Sequence, residues 1–269
     1  KIYWQNYPIA KLSPGKDYLN PEINLIVDDM IEFSDLRGLK DYLEKWLSNK
    51  IMKELESLFK LKNIKESNPQ VRALSYQLYE NYGVVKREKV NSLVKKLTQE
   101  DRKSLRNIGV KFGRYHIFLY KLFKPQQVTL RILLWKNFIQ SNYELKPPTF
   151  GLNFTDNKKF ENRDFMLLCG FEKFDRFFVR IDILERLFIH IIKYNLENSQ
   201  EVKLVPKMLN LLGCNRENFM NLMRNMGYKL YEKDNETYFK YNHKKTSFKQ
   251  KNKFKSDNPF NILNQINFD

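Results

Sequence analysis

Between Ser34 and Leu58 the apolar residues Leu39, Leu43, Trp46, Leu47, Ile51, Leu55 and Leu58 recur at helical spacing, behind a serine suited to cap the first turn. Water cannot satisfy a stripe of that length, so the chain needs a second surface to pack against it. One long amphipathic helix is predicted here, with a helical unit around it.

The helical signal continues. A helix from Pro69 carries Val71, Leu74, Leu78 and Tyr82 and stops at Gly83, and another carries Val90, Leu93, Val94 and Leu97. Thr98, with Asp101 three residues on and Gly109 beyond, marks a capped short helix. Arg114 to Phe123 is predicted as a helix that Pro125 ends, followed by one from Gln126 to Phe138. Before this region, Ile2 to Trp4, Tyr7 to Leu12 and Ile23 to Val27 are β-rich runs divided by turn residues. Pro147-Pro148 and the polar run from Thr155 to Arg163 interrupt the periodicity. Beyond them, helices over 180–194 and 206–212, and a third capped by Asn215, precede two β-rich runs, Tyr228 to Tyr231 and Thr237 to Tyr241. The fold class expected is mainly α. It comprises a small β element over 1–33, a helical bundle over 34–140, a linker over 141–175, a winged-helix-like α+β unit over 176–241 and a disordered basic tail over 242–269.

The net charge of +17 favours a polyanionic partner, nucleic acid ahead of an anionic membrane. Lysine far outnumbers arginine, and Asn, Ile, Tyr and Phe are frequent, as drift in an AT-rich genome also produces. The candidate contacts are Lys111, Arg114, Tyr115, Lys121 and Lys124, in the densest mixture of cations and aromatics. Arg216, Asn221 and Arg224, with Asn218 and Asn225, lie on the third helix of the winged-helix-like unit, opposite its apolar stripe. Lys244, Lys245, Lys249, Lys251, Lys253 and Lys255 form the tail's basic run. In the Gly109 to Pro125 segment, packing into the core competes with RNA contact for every aromatic, Tyr115 included.

No motor chemistry is legible. Gly15-Lys16 is followed by Asp17 where a phosphate-binding loop needs Ser or Thr, and Asp28-Asp29 runs into Met30-Ile31. Gly113-Arg114 has Val110 and Ile117 where an arginine-finger motif has Gln and Arg. The three histidines, His116, His190 and His243, are far apart, and the first two are expected on helices as packing residues. Cys169 and Cys214 are expected to be core thiols, with no zinc site or disulfide. No catalytic or metal-binding residue is assigned, no apolar run reaches the ~20 residues of a membrane span, and a cytoplasmic location is expected.

Several stretches resemble one family. They are Thr98 to Phe118, containing Gly109-Val110-Lys111-Phe112-Gly113-Arg114-Tyr115-His116, with Lys124-Pro125 and Leu130 to Trp135; Val179 to Leu187; Met208 to Asn215 with Met226-Gly227-Tyr228; and Ile2-Tyr3-Trp4 with Ile9 to Leu12. Together these resemble the C-terminal region of the alphaproteobacterial Suv-type, mitochondrial-degradosome-like superfamily 2 ATP-dependent RNA helicases, except through residues 141–175. The resemblance implies two upstream RecA-like motor domains holding ATP and magnesium, a chain that begins within a longer protein, and a helical region capping a channel for single-stranded RNA. The function expected is a non-motor accessory region that binds RNA. The alternative is a protein-interaction scaffold that recruits a ribonuclease or ribosomal partner. A standalone DNA-binding regulator is a third reading, which the helical half disfavours.

Overall fold

The computed structural model describes residues 1–26, 33–64, 68–140, 145–156, 162–197 and 201–241. The fold is an α+β mixture in which ten α-helices and four three-stranded sheets alternate among the described residues. The expected predominance of helix and the small N-terminal β element are present, but strands also occur throughout the described chain.

The chain opens with β1 (Ile2–Trp4), β2 (Tyr7–Ser13) and β3 (Glu22–Leu25), an antiparallel sheet in sequence order. Gln5 and Asn6, both at positive φ, make the tight turn between its first two strands. Ala10, Leu19 and Ile23 are buried, and β3 packs on α1 (Phe33–Glu54).

The single long helix expected over this region is instead two. At Leu55, with φ −107° and ψ 27°, the chain leaves helical geometry, and α2 (Glu56–Lys62) sets off afresh. Leu55 and Leu58 are fully buried, and α2 packs on the helices that follow whereas α1 packs on β3. A straight rod would carry the end of the stripe past its partners. The break re-aims it. Trp46, counted in the apolar stripe, is 41% exposed beside the buried Leu43, Leu47 and Ile51.

Next come α3 (Pro69–Glu80), β4 (Val84–Lys86), α4 (Arg87–Lys96) and α5 (Gln99–Ile108). The α5 start is the capping box legible in the sequence, with Thr98 and Asp101 exchanging side-chain and backbone hydrogen bonds of 3.1 and 2.9 Å. After it, β5 (Val110–Phe112) and β6 (His116–Leu119) form a hairpin, and a 3-10 turn (Tyr120–Phe123) leads into α6 (Pro125–Phe138). The all-helical reading of 34–140 and the helix expected over Arg114 to Phe123 are both overturned. All four β6 residues are buried, so no alternation survives to distinguish this strand from a buried helix.

The stretch expected to be a linker contains β7 (Phe154–Asp156), α7 (Arg163–Leu168) and β8 (Phe171–Phe174), followed by β9 (Phe177–Arg180). Phe165, Met166, Leu167 and Leu168 are buried, and a continuously apolar short helix has no periodicity to read. The chain ends its described course in α8 (Ile181–Glu197), β10 (Val202–Lys203), α9 (Pro206–Leu212), α10 (Arg216–Asn225), β11 (Tyr228–Lys233) and β12 (Glu236–Tyr241).

The three later sheets run β4-β6-β5, β7-β9-β8 and β10-β12-β11, so each hairpin's second strand lies in the middle. Arg131 on α6, fully buried, joins the 3-10 turn to the turn before β4, donating to the carbonyls of Leu122 (3.1 Å) and Tyr82 (2.8 Å).

Candidate nucleic-acid interface

A cavity of about 620 Å³ opens where these hairpins meet, within the ~300–1,000 Å³ range of ligand sites. Lys86 and Arg87 reach it from the start of α4, and Arg114, Tyr115 and His116 from the β5–β6 hairpin. Glu172, Lys173 and Phe174 come from β8, and Asn225, Met226 and Tyr241 from the end of α10 and from β12.

The first hairpin is held open from outside. Arg87 donates through its backbone to Tyr115 O and through its guanidinium to Gly113 O, both at 2.7 Å. The Glu185 carboxylate, from α8, accepts the backbone N–H groups of Arg114 (2.5 Å), Tyr115 (2.9 Å) and His116 (2.7 Å). Gly113 makes room for it, because a β-carbon there would come within 2.4 Å of that carboxylate.

His116 is buried between two carboxylates, with Nδ1 3.2 Å from Glu185 Oε1 and Nε2 3.2 Å from Glu172 Oε2. Burial by itself depresses an imidazole pKa, yet hydrogen bonds and charge from Glu172 and Glu185 outweigh it and raise this one. Burial likewise pushes Glu172 upward, but His116, with help from Lys86 and Arg163, brings it down to about 2. Each ring nitrogen faces one carboxylate, and the protonated ring donates to both. The ring clamps three elements together, on β6, β8 and α8. It sits on a strand, not on the helix expected; His190 is on α8 as expected but is exposed, so it is not a packing residue.

The candidate contacts divide. Arg114 is exposed at the cavity, its guanidinium 5.9 Å from the Tyr241 ring. Tyr115 is half-buried, and its ring packs 4.3 Å from Phe188, so its face is already used. Lys111, Lys121 and Lys124 are exposed but line no part of this cavity; Lys111 Nζ lies 5.1 Å from the Tyr120 ring. On α10, Arg216 donates to Thr237 Oγ1 and lies 3.7 Å from Glu232, binding the helix to its hairpin. Arg224 holds Asn221 Oδ1 at 3.0 Å. Lys244, Lys245, Lys249, Lys251 and Lys253 lie outside the described residues.

Sequence reading missed Lys86, Arg87 and Lys173, which no motif marks, and the clamp, whose carboxylates lie 56 and 69 residues from His116. Burial pushes the Cys169 thiol up to about 12, a core thiol with little thiolate character. Among the described residues, no group of three or more His, Cys, Asp or Glu side chains is placed to hold a metal ion, and no helix is long and apolar enough to cross a membrane. No family model, curated protein or solved structure matches the chain.

Proposed function

We propose that this chain is the non-motor C-terminal accessory region of an ATP-dependent RNA helicase, binding single-stranded RNA and capping a motor core encoded upstream. The cavity carries the RNA part of the reading. It gathers Arg87, Arg114 and Lys173, a chemistry suited to phosphodiester oxygens, beside the half-buried rings of Phe174 and Tyr241. Its lining sets Lys86, Arg87, Arg114 and Lys173 against two carboxylates, Glu88 and Glu172, the second engaged by His116, Lys86 and Arg163, so positive charge is in excess. The helicase part rests on the family resemblance. The α8–β12 order of helix, strand, two helices and hairpin supports reading residues 181–241 as winged-helix-like.

The test is fluorescence anisotropy with a short single-stranded oligouridylate across a salt series. Tight, salt-weakened binding is expected, and Arg114→Ala with Lys173→Ala should lower the log–log salt slope by roughly 1.4, at about 0.7 per lost phosphate contact. ATP hydrolysis by the purified chain would defeat the accessory reading.

A second reading has one observation in its favour. Tyr3, Trp4, Tyr42 and Trp46 are exposed around an apolar groove of about 600 Å³ between the first sheet and α1, a surface suited to a protein partner. If protein contact were the chain's whole role, the double substitution would leave RNA affinity unchanged.

A further inference from the structure

Two stretches of the chain share one order of elements, and a third between them shares it with one helix fewer. α3 leads to β4, α4, α5 and the β5–β6 hairpin; α6 leads to β7, α7 and the β8–β9 hairpin; α8 leads to β10, α9, α10 and the β11–β12 hairpin. Each sheet places the hairpin's second strand between the other two. Each hairpin also follows directly on a glycine at positive φ: Gly109 at 109°, Gly170 at 86° and Gly227 at 86°. Strand order and this left-handed entry residue are common to all three, and helix order to the first and third, a coincidence that duplication removes.

We propose that residues 69–241 are three tandem copies of one unit, and that α5 with β5 forms a second face for single-stranded nucleic acid, in the position that α10 and β11 hold in the third copy. The proposal rests on the RNA-binding reading above. It does not depend on the cavity.

On α5, Leu105 is buried while Lys103, Arg106 and Asn107 are exposed. The acids gather at the opposite end of this helix, where Asp101 is engaged by the cap and by Asn68 (2.6 Å). Lys111 follows on β5, its Nζ 5.1 Å from the ring of Tyr120, which is 40% exposed. Arg106 lies 5.8 Å from the Phe112 ring. Lys121 and Tyr120 both close on Gly109, coming within 4.0 and 3.6 Å of where a β-carbon would stand. The result is a row of cations around one accessible aromatic face, the pattern that tracks a phosphate backbone while stacking a base. A protein-docking face would expose apolar side chains here. The second copy has no such face, since its single short helix, α7, buries Phe165, Met166, Leu167 and Leu168. This also explains why Lys111 and Lys121 stand apart from Arg114: they belong to a different surface.

The experiment compares Arg106→Ala with Lys111→Ala against the cavity pair Arg114→Ala with Lys173→Ala, in the full chain with oligouridylate, after circular dichroism melting shows both variants folded. The α5 pair should lower the log–log salt slope by roughly 1.4, and Tyr120→Leu should abolish photocrosslinking of the 109–121 peptide to the RNA. Unchanged slope and crosslinking in folded variants would overturn the proposal and assign the face to protein contact. A response to the α5 pair alone would sustain it while refuting the cavity as the RNA site. Absence of RNA binding by the unaltered chain would end both.

Discussion

The first and last hairpins share a place in their sheets but not a source of stability. The β11–β12 hairpin draws more on its own pairing, although Arg216 ties it to α10 and β10 pairs with β12. It has six cross-strand pairs, a turn of Asp234 and Asn235 at φ 52° and 59°, and Tyr231 and Tyr238 stacked across the strands at 5.9 Å. The β5–β6 hairpin has three pairs and a loop that Arg87 and Glu185 hold from other elements. A hairpin poor in local pairing is thus kept in register by side chains far away in sequence. That dependence is what places Arg114 at the cavity.

The sharpest way to break this contrast is Glu185→Ala. It strips three backbone N–H groups and His116 of their acceptor in a buried site, and should cost about 3–5 kcal/mol in urea unfolding. A loss below about 1 kcal/mol would show that the first hairpin holds itself, since that is the scale of one ordinary hydrogen bond.

His116→Gln should give a smaller effect that depends on pH. Folding raises the His116 pKa, so its contribution is complete below the ordinary value of 6.5 and disappears as pH rises through the raised value. Glu172 is held at about 2, so its contribution is complete above the ordinary 4.5 and is lost as pH falls toward 2. The clamp therefore stabilises most between about 4.5 and 6.5. The Tm difference between the native chain and the His116→Gln variant should be largest in that window and shrink in alkaline buffer. A difference independent of pH would show that the ring acts only by packing.

Least costly should be Asn235→Ala, at about 1 kcal/mol, because a left-handed backbone position loses a residue that tolerates it. A loss comparable to that of Glu185→Ala would mean that the last hairpin is no more self-sufficient than the first.

Legibility in the sequence follows the same division. The Thr98–Asp101 capping box, the Asn215 cap and the β11–β12 hairpin are local devices, and all could be read from neighbouring residues. The strand β6 could not, because both its faces are covered. Nor could α7, for the same reason. The break at Leu55 answers to partners elsewhere in the fold and leaves no mark on the helical spacing. In the candidate site, Arg114 stood out by local charge density, whereas Lys86, Lys173 and Glu185 become neighbours only through folding.

Arg131 bears on how the composition of this chain has been shaped. Its guanidinium spans two carbonyls on separate segments, at Leu122 and Tyr82, a geometry that the single ammonium of lysine cannot reproduce. In a chain where lysine far outnumbers arginine, this position requires arginine, because lysine would leave a carbonyl stranded in the interior. Its charge is also sequestered from any polyanion, so the formal +17 overstates the field the surface presents. Arg131 is thereby a marker of architecture, whereas Arg106 and Arg114, exposed, keep their charge at the surface.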